Sequence, residues 1–508
     1  MLGYNQWIDN GQSKGESTSY RSKMMIRHSD ILMISPGLSG ETIYPMAPLG
    51  MLWIAAVLTK EGYKVKFLDL QIIQESSEQL LSKEQAPIIL IGGVTFNRFE
   101  SFELAALAKK LSPEAITVYG GVHATFTAQD TLQHIKDIDI VVRGEGEITS
   151  LELANCLLRG SRDYSPIDGI SFRDGDKIKH NKPRIRIRNL DELPFPLTSL
   201  PDWAAYISPL ESSDTPSLHT MTSRGCPFNC IFCSSASMWG RIYSTRSAKN
   251  VVDELELFTE KYGIKGMKFY DSTLTLRESH IVAICDELIE RKLDILWECD
   301  VRADTVNREI LSKMKDSGCR YIGVGVETVS PQVMSTLGKQ ITLEQIENTI
   351  RWANDLGIGV KVFMIMGLPG EDTHTAQETV DFIKKHKSDT DTIHIGPAQL
   401  YPGTPLEHYA KENGTIPNDF SWCEPFDSDE IGELTYARNI PIFMQPAFGI
   451  KEYRRLKIEV DKLYNRIPTL RTVPTFLFKK ILAIRSTRDI KRLWIEARKY
   501  IRWWLQLT

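Results

Sequence analysis

A chain of 508 residues is long enough for two or three domains and can bury a sizeable core. A formal net charge of −4 with 25% charged residues excludes a globally basic nucleic-acid binder. No window approaches the roughly 18 uninterrupted apolar residues of a membrane span. The polar start, Met1 to about Ser29, lacks the basic-then-apolar order of a secretory signal and is expected to be a disordered leader.

From residue 30 to about 160, short β-rich runs alternate with helical stretches. Strands are predicted at Ile31–Ile34, Lys64–Leu68, Ile88–Ile91, Ile116–Tyr119 and Ile138–Val142, with helices at Leu49–Lys60 and Arg98–Leu111. This order predicts an α/β, flavodoxin-like (Rossmann-like) domain whose parallel sheet is covered on both faces. Its ligand crevice is expected at the carboxyl ends of the strands, where Gly92-Gly93, Gly120-Gly121 and Gly144-Glu-Gly-Glu147 stand. Residues without a β-carbon let a large flat ligand approach the backbone. No G-x-G-x-x-G follows the first strand, so a dinucleotide fingerprint is absent.

Residues 161–215 read as a hairpin and linker. Ile170–Lys179 carries an Asp-Gly turn between alternating residues, and Glu192-Leu-Pro-Phe-Pro196 is an extended connector. Over 216–405 the alternation resumes. Strands are predicted at Leu218–Thr222, Gly266–Tyr270, Leu296–Val301, Tyr321–Val326, Val360–Met366 and Thr392–Leu400. Helices are predicted near Lys249–Tyr262, Ser279–Arg291, Arg308–Ser317, Leu343–Leu356 and Ala376–His386. Six such units predict a partial (β/α)6 barrel with functional groups at the strand carboxyl ends.

Directly after the first of these strands lies Ser-Arg-Gly-Cys-Pro-Phe-Asn-Cys-Ile-Phe-Cys, with Cys226, Cys230 and Cys233 at C-x3-C-x2-C spacing. Three close thiolates can hold three irons of a cubane cluster and leave the fourth open, whereas clusters that only carry electrons usually take four cysteines. Zinc is the alternative for this donor set, although zinc sites favour recurring C-x2-C pairs and no second pair exists here. Cys156, Cys285, Cys299, Cys319 and Cys423 are scattered singly, without the pattern of a disulfide framework. Residues 406–508 are expected to be mostly helical. The run Phe476–Thr508 pairs basic residues with Ile490, Leu493, Trp494, Ala497, Ile501, Trp504 and Leu505 at helical spacing. Such a face either packs on the barrel or a partner, or lies on an anionic membrane.

The cysteine segment, with Phe232 as the aromatic before the last thiol, resembles the radical S-adenosylmethionine (SAM) superfamily. Tyr119–Phe126, Val141–Glu147 and Pro48-Leu-Gly50 resemble the cobalamin-binding domain found ahead of some radical SAM barrels. The resemblance spans roughly residues 30–405. One departure is that Asp69-Leu-Gln-Ile-Ile-Gln74 stands where a D-x-H-x-x-G motif would place a cobalt-ligating histidine.

The resemblance implies a 4Fe–4S cluster on Cys226, Cys230 and Cys233. SAM contacts are then expected from Phe232, Asp271, Ser272, Arg302, Glu327, Gly367 and Pro369. Cobalamin contacts are expected from Gly50, Gly93, Thr95, Gly120, Gly121, His123, Gly144, Glu145 and Gly146, with His123 shaping the pocket rather than ligating cobalt. The implied activity is methylation of an unactivated carbon by way of a 5′-deoxyadenosyl radical and methylcobalamin. Cyclisation, oxidation or rearrangement with the same cofactors is the alternative, and a non-catalytic cobalamin or iron–sulfur sensor is an alternative of another class. The implied setting is a reducing cytosol, with a flavodoxin- or ferredoxin-type reductant and a small-molecule or lipid-like substrate. Membrane association would run through the C-terminal helix.

Overall fold

A computed structural model describes residues 27–37, 45–73, 75–196, 202–426, 435, 437 and 439–464. Residues 1–26 of the expected leader and the amphipathic run Phe476–Thr508 lie outside the described residues, whereas Arg27–His28, at the end of that leader, form a short strand parallel to Glu84–Gln85.

The first unit is a seven-stranded sheet built from β1 (Ile31–Ser35), β2 (Val65–Asp69), β3 (Ile88–Gly92), β4 (Ile116–Gly120), β5 (Ile140–Val142), β6 (Ile170–Asp174) and β7 (Lys177–His180). Its order is β2-β1-β3-β4-β5-β6-β7. The first five strands are parallel, and the β6–β7 hairpin extends the edge in antiparallel fashion. The order reverses between β1 and β3, and such a switch point opens a crevice beyond the strand ends. β1 and β3 are buried along their whole length, as expected of strands covered on both faces.

The longer helices are α1 (Leu49–Lys60), α2 (Arg98–Leu111), α3 (Val122–His134) and α4 (Glu147–Leu158), with one further turn of helix at Ser77–Leu81. No helix is predicted at the start of α3, where the Gly120-Gly121 turn stands, yet the chain is helical there. Its Thr-, Ala- and His-rich text carries little apolar periodicity, and burial against β4 and β5 decides the conformation.

The second unit is also a seven-stranded sheet: β8 (Ser208–Pro209), β9 (Pro216–Thr220), β10 (Gly266–Phe269), β11 (Leu296–Val301), β12 (Cys319–Glu327), β13 (Gly359–Met366) and β14 (Thr392–Pro397), in that order. Six strands are parallel and occupy the predicted places, while the short β8 is an antiparallel addition. Between them run α5 (Ser235–Trp239), α6 (Ala248–Tyr262), α7 (Glu278–Glu290), α8 (Arg308–Asp316), α9 (Pro331–Thr336), α10 (Leu343–Asp355) and α11 (Thr373–Lys385). Local chemistry sets their ends. Ser247, Asn307, Thr342 and Asp372 accept from backbone amides of the first turns, and left-handed Gly263 stops α6.

The two units share a core. Leu52, Trp53 and Val57 of α1 belong to the same cluster as Val251, Leu255 and Phe258 of α6. After the barrel come α12 (Pro405–Glu412) and α13 (Ile450–Leu463), of which α13 packs on α11. The segment between them returns to the first unit. Fully buried Arg98 donates to the carbonyls of Trp422 (2.8 Å) and Asn439 (2.7 Å), and Asp130 accepts from Ser421 Oγ and Trp422 N, both at 2.8 Å. Among the described residues, no helix is long and apolar enough to cross a membrane.

At the crevice the turns after β3 and β4 touch. Gly121 sits at φ +115°, and a β-carbon there would collide with the Gly93 carbonyl. Gly121→Ala is therefore expected to lose about 2 kcal/mol or more. A lower urea midpoint and weaker cobalamin retention would show it, and an unchanged midpoint would contradict the close packing.

Candidate functional site

A cavity of about 650 Å³ opens at the carboxyl ends of the first sheet. Gly50, Gly92, Gly93, Gly120, Gly121, Gly144, Glu145 and Gly146 line it, together with Met33, Met46 and Met51. A β-carbon at Gly50 or Gly144 would meet no protein atom within 4 Å, so both leave room for a ligand close to the backbone. The cavity continues to Met221, Cys233, Ser235, Met238, Trp239 and Ser272 of the barrel mouth. One space therefore joins the glycine turns to the cysteine loop.

Two expected contacts lie elsewhere. Thr95 and His123 are absent from the cavity lining and buried behind it. His123 Nδ1 stands 3.2 Å from Thr95 Oγ1, the ring packs edge-on to Trp422, and Nε2 has no hydrogen-bond partner. Burial, with the Arg98 charge adding to it, pulls the imidazole down to about 3, so it is neutral at pH 7. Among the described residues lining the cavity there is no histidine, in keeping with the missing D-x-H-x-x-G.

Cys226, Cys230 and Cys233 are free and half-buried. The Ser235 amide donates to Cys233 Sγ at 3.4 Å, and Arg302 Nη1 approaches Cys230 Sγ at 3.7 Å. Burial raises the Cys230 and Cys233 thiols, the latter to about 11, while Lys339 and Arg302 oppose the rise at Cys230. Three thiols on one loop, with N–H donors and two flanking cations, suit a negatively charged metal–thiolate cluster.

The other barrel-mouth residues divide. Arg302 forms a two-pronged pair with Asp304 (3.0 and 2.9 Å) and stacks 3.5 Å from the Phe228 ring centroid, which fixes its guanidinium beside the cysteine loop. Glu327 has left-handed backbone (φ +69°) at a register shift of β12, and its carboxylate binds Lys339 at 2.7 Å with both side chains buried. Ser272 lines the cavity and meets Ser235 Oγ at 3.0 Å.

Asp271 turns inward instead. Its buried carboxylate accepts from Thr222 N, Thr222 Oγ1 and Ser223 Oγ, so it holds the end of the first barrel strand. Phe232 packs into the cluster of Leu368 and Leu400, and Pro369 lines a second cavity with Ile231 and Tyr409. Neither lines the shared cavity. Gly367, at φ +84°, donates its amide to Glu371.

The strongest link between the units was not expected from the sequence. Arg224, two residues before Cys226, donates to Glu145 Oε1 at 2.9 Å and Glu147 Oε1 at 2.6 Å. All three side chains are no more than 5% exposed. Arg224 lies 5.0 Å from the Trp53 ring centroid and 5.9 Å from that of Trp239. Glu145 also accepts from Ile187 N at 2.7 Å, which ties in the linker. The only signal in the sequence was a pair of glutamates in a glycine turn and an arginine 77 residues later, and their pairing is a tertiary fact.

A glycine-walled cavity at a switch point, open to a three-thiol loop at the mouth of a partial barrel, defines an enzyme that holds a large ligand beside a metal–thiolate site. Residues 220–383 match the radical SAM superfamily, and residues 38–154 match the B12 binding domain. The chain is 32% identical over 418 residues to an uncharacterized methyltransferase of Pyrococcus horikoshii, covering 80% of this chain and 89% of the relative. It is 28% identical over 341 residues to the anaerobic magnesium-protoporphyrin IX monomethyl ester cyclase of Rubrivivax gelatinosus, covering 65% and 61%. In fold it is similar to the radical SAM methyltransferase TsrM of Kitasatospora setae, with a TM-score of 0.69, 19% identity and coverage of 86% and 91%. The cobalamin-dependent enzyme OxsB aligns with a TM-score of 0.69, 18% identity and coverage of 94% and 72%. The chain belongs to the radical SAM superfamily, in the branch that carries a B12 binding domain, and its cofactors are a 4Fe–4S cluster, SAM and cobalamin.

Two measurements test this geometry. Arg224→Ala leaves two buried carboxylates without their cation and is expected to cost about 3–5 kcal/mol in urea unfolding at pH 7; a loss below 1 kcal/mol would mean that the carboxylates are solvated. Burial raises the Glu371 carboxyl to about 7. Its folded pKa exceeds the unfolded one, so its contribution is full below about pH 4.5 and is lost as pH rises through 7. Relative to Glu371→Gln, the parent should lose about 3 kcal/mol between pH 4.5 and 8. Parallel pH–stability curves for the two proteins would refute that assignment.

Proposed function

We propose that this enzyme methylates an unactivated carbon of a small-molecule substrate. The observation that carries the reading is the single cavity running from the glycine turns to Cys233, Ser235 and Ser272. When bound, the cluster with SAM supplies an adenosyl radical that abstracts hydrogen, and cobalamin supplies the methyl group.

The chain's own part is binding, orientation and exclusion of water. Cys226, Cys230 and Cys233 hold the cluster. Arg302, fixed by Asp304 and Phe228, presents its guanidinium to the methionyl carboxylate of SAM. Ser272, Glu327 and the Gly367 turn flank the remainder of SAM. Gly50, Gly93, Gly120, Gly121, Gly144 and Gly146 receive the corrin, and Met221, Met238 and Trp239 keep water from the junction. Thr95 and His123 act from behind the cavity as packing. A lipid-like substrate and peripheral membrane contact rest on the sequence of Phe476–Thr508 alone.

The relationship to a cyclase keeps ring closure as a second reading. Reconstituted protein given SAM and a strong reductant should release 5′-deoxyadenosine, and Cys226→Ala, Cys230→Ala or Cys233→Ala should abolish the release. With methyl-deuterated SAM and substrate, three deuterons in the product support methyl transfer. A product that has lost hydrogen and gained no label supports cyclisation. No 5′-deoxyadenosine under any condition sinks both readings.

A further inference from the structure

Alternation along the barrel strands separates two faces. Cys299 and Val301 of β11, Ile322 and Val324 of β12, and Val362 of β13 pack in the core with the helices. Glu298, Asp300 and Arg302, with Gly323 and Phe363, therefore face the lumen. Arg302 marks the layer of the cysteine loop. Asp300 stands two residues earlier on the same face, about 7 Å deeper.

Most charged groups of this lumen are matched. Arg302 pairs with Asp304, Glu327 with Lys339, and Lys361 with Glu211. Glu298 accepts from the amides of Glu211 (2.9 Å) and Ser212 (2.7 Å), and its register partner Lys268 lies in the same layer. Asp300 differs. It is exposed to the lumen, and among the described residues no hydrogen bond or ion pair reaches its carboxylate. Burial raises it to about 6 against the pull of Lys361, as expected of a carboxylate lacking a close cation.

Its carboxylate meets an aromatic ring over a glycine. Gly323 is the direct register partner of Asp300, and a β-carbon there would collide with both Asp300 Oδ1 and the Phe363 ring. The missing side chain at Gly323 thus lets an unmatched carboxylate and an aromatic ring lie side by side on the lumen face. A carboxylate beside a ring is a recognition set for a protonated nitrogen.

We propose that Asp300 is a substrate-recognition residue, and that the substrate carries a protonated amine, amidine or guanidine which seats against it beneath the barrel mouth. This rests on the proposed reading that the barrel mouth is the reaction site. SAM is itself a cation, so the test has two arms.

In the first, 5′-deoxyadenosine release by the holoenzyme is measured with SAM, titanium(III) citrate and small-molecule fractions of the source organism's extract, separated at pH 7 on cation and anion exchangers. The fraction retained on the cation exchanger should raise release at least tenfold, and Asp300→Asn should cut that stimulated-to-basal ratio at least tenfold. Stimulation only from fractions that the cation exchanger does not retain, or from none, overturns the proposal. In the second arm, SAM is titrated against the reduced cluster and followed by electron paramagnetic resonance. A SAM affinity within threefold between parent and Asp300→Asn is expected, whereas a tenfold loss in the variant assigns Asp300 to SAM and overturns it. Cluster and cobalamin absorbance establish that the variant is folded and loaded. Absence of any 5′-deoxyadenosine from the parent enzyme would instead defeat the functional reading.

Discussion

The structure depends on one buried guanidinium. Arg224 brings its charge to Glu145 and Glu147 in a space that water barely reaches, between two tryptophan faces. A buried ion group of this kind offers little net stability over an apolar replacement, because desolvation offsets most of the attraction. It offers placement instead. The two glutamates occupy the turn that floors the first cavity, and the arginine leads into the thiol loop. Any rotation of one unit against the other would strand charge in a dry interface.

That placement explains why the shared cavity can be lined so largely by methionine and glycine. Neither residue directs chemistry. Glycine withdraws its side chain from a large ligand, and methionine fills irregular gaps without a polar group to satisfy. Toward the thiols the lining includes Ser235 and Ser272, and on the cysteine loop's other flank stand the held cations Arg302 and Lys339. The protein supplies a dry, shaped room with charge at one end, and the bound groups supply reactivity.

Much of this was legible from residue order. The sheet strands followed from periodicity, β11 and α2 begin and end where predicted, and α3 and α4 did not show. The cysteine spacing, its place after the first barrel strand and the glycine turns located both ends of the cavity. What stayed hidden was direction. Asp271 and Ser272 are neighbours at one strand end, yet one turns into the protein and the other toward the cavity, because Thr222 and Ser223 supply donors on the inner side. His123 reads as a loop residue and lies on a helix, facing Trp422, which arrives from three hundred residues away. The Arg224 pairing stayed hidden for the same reason: periodicity reports which face is apolar and carries no information about which distant side chain meets it.

The linker adds a consequence for how such an enzyme is assembled over evolutionary time. Composition draws a boundary through the proline-rich connector, yet Ile187 donates its amide to Glu145, Tyr206 donates to Asp69 at 2.6 Å, and α1 inserts Trp53 into the barrel's own core. The joint between segments that match two separate families is a shared interior. The two segments are not interchangeable parts, and change on either side of the joint must be matched on the other.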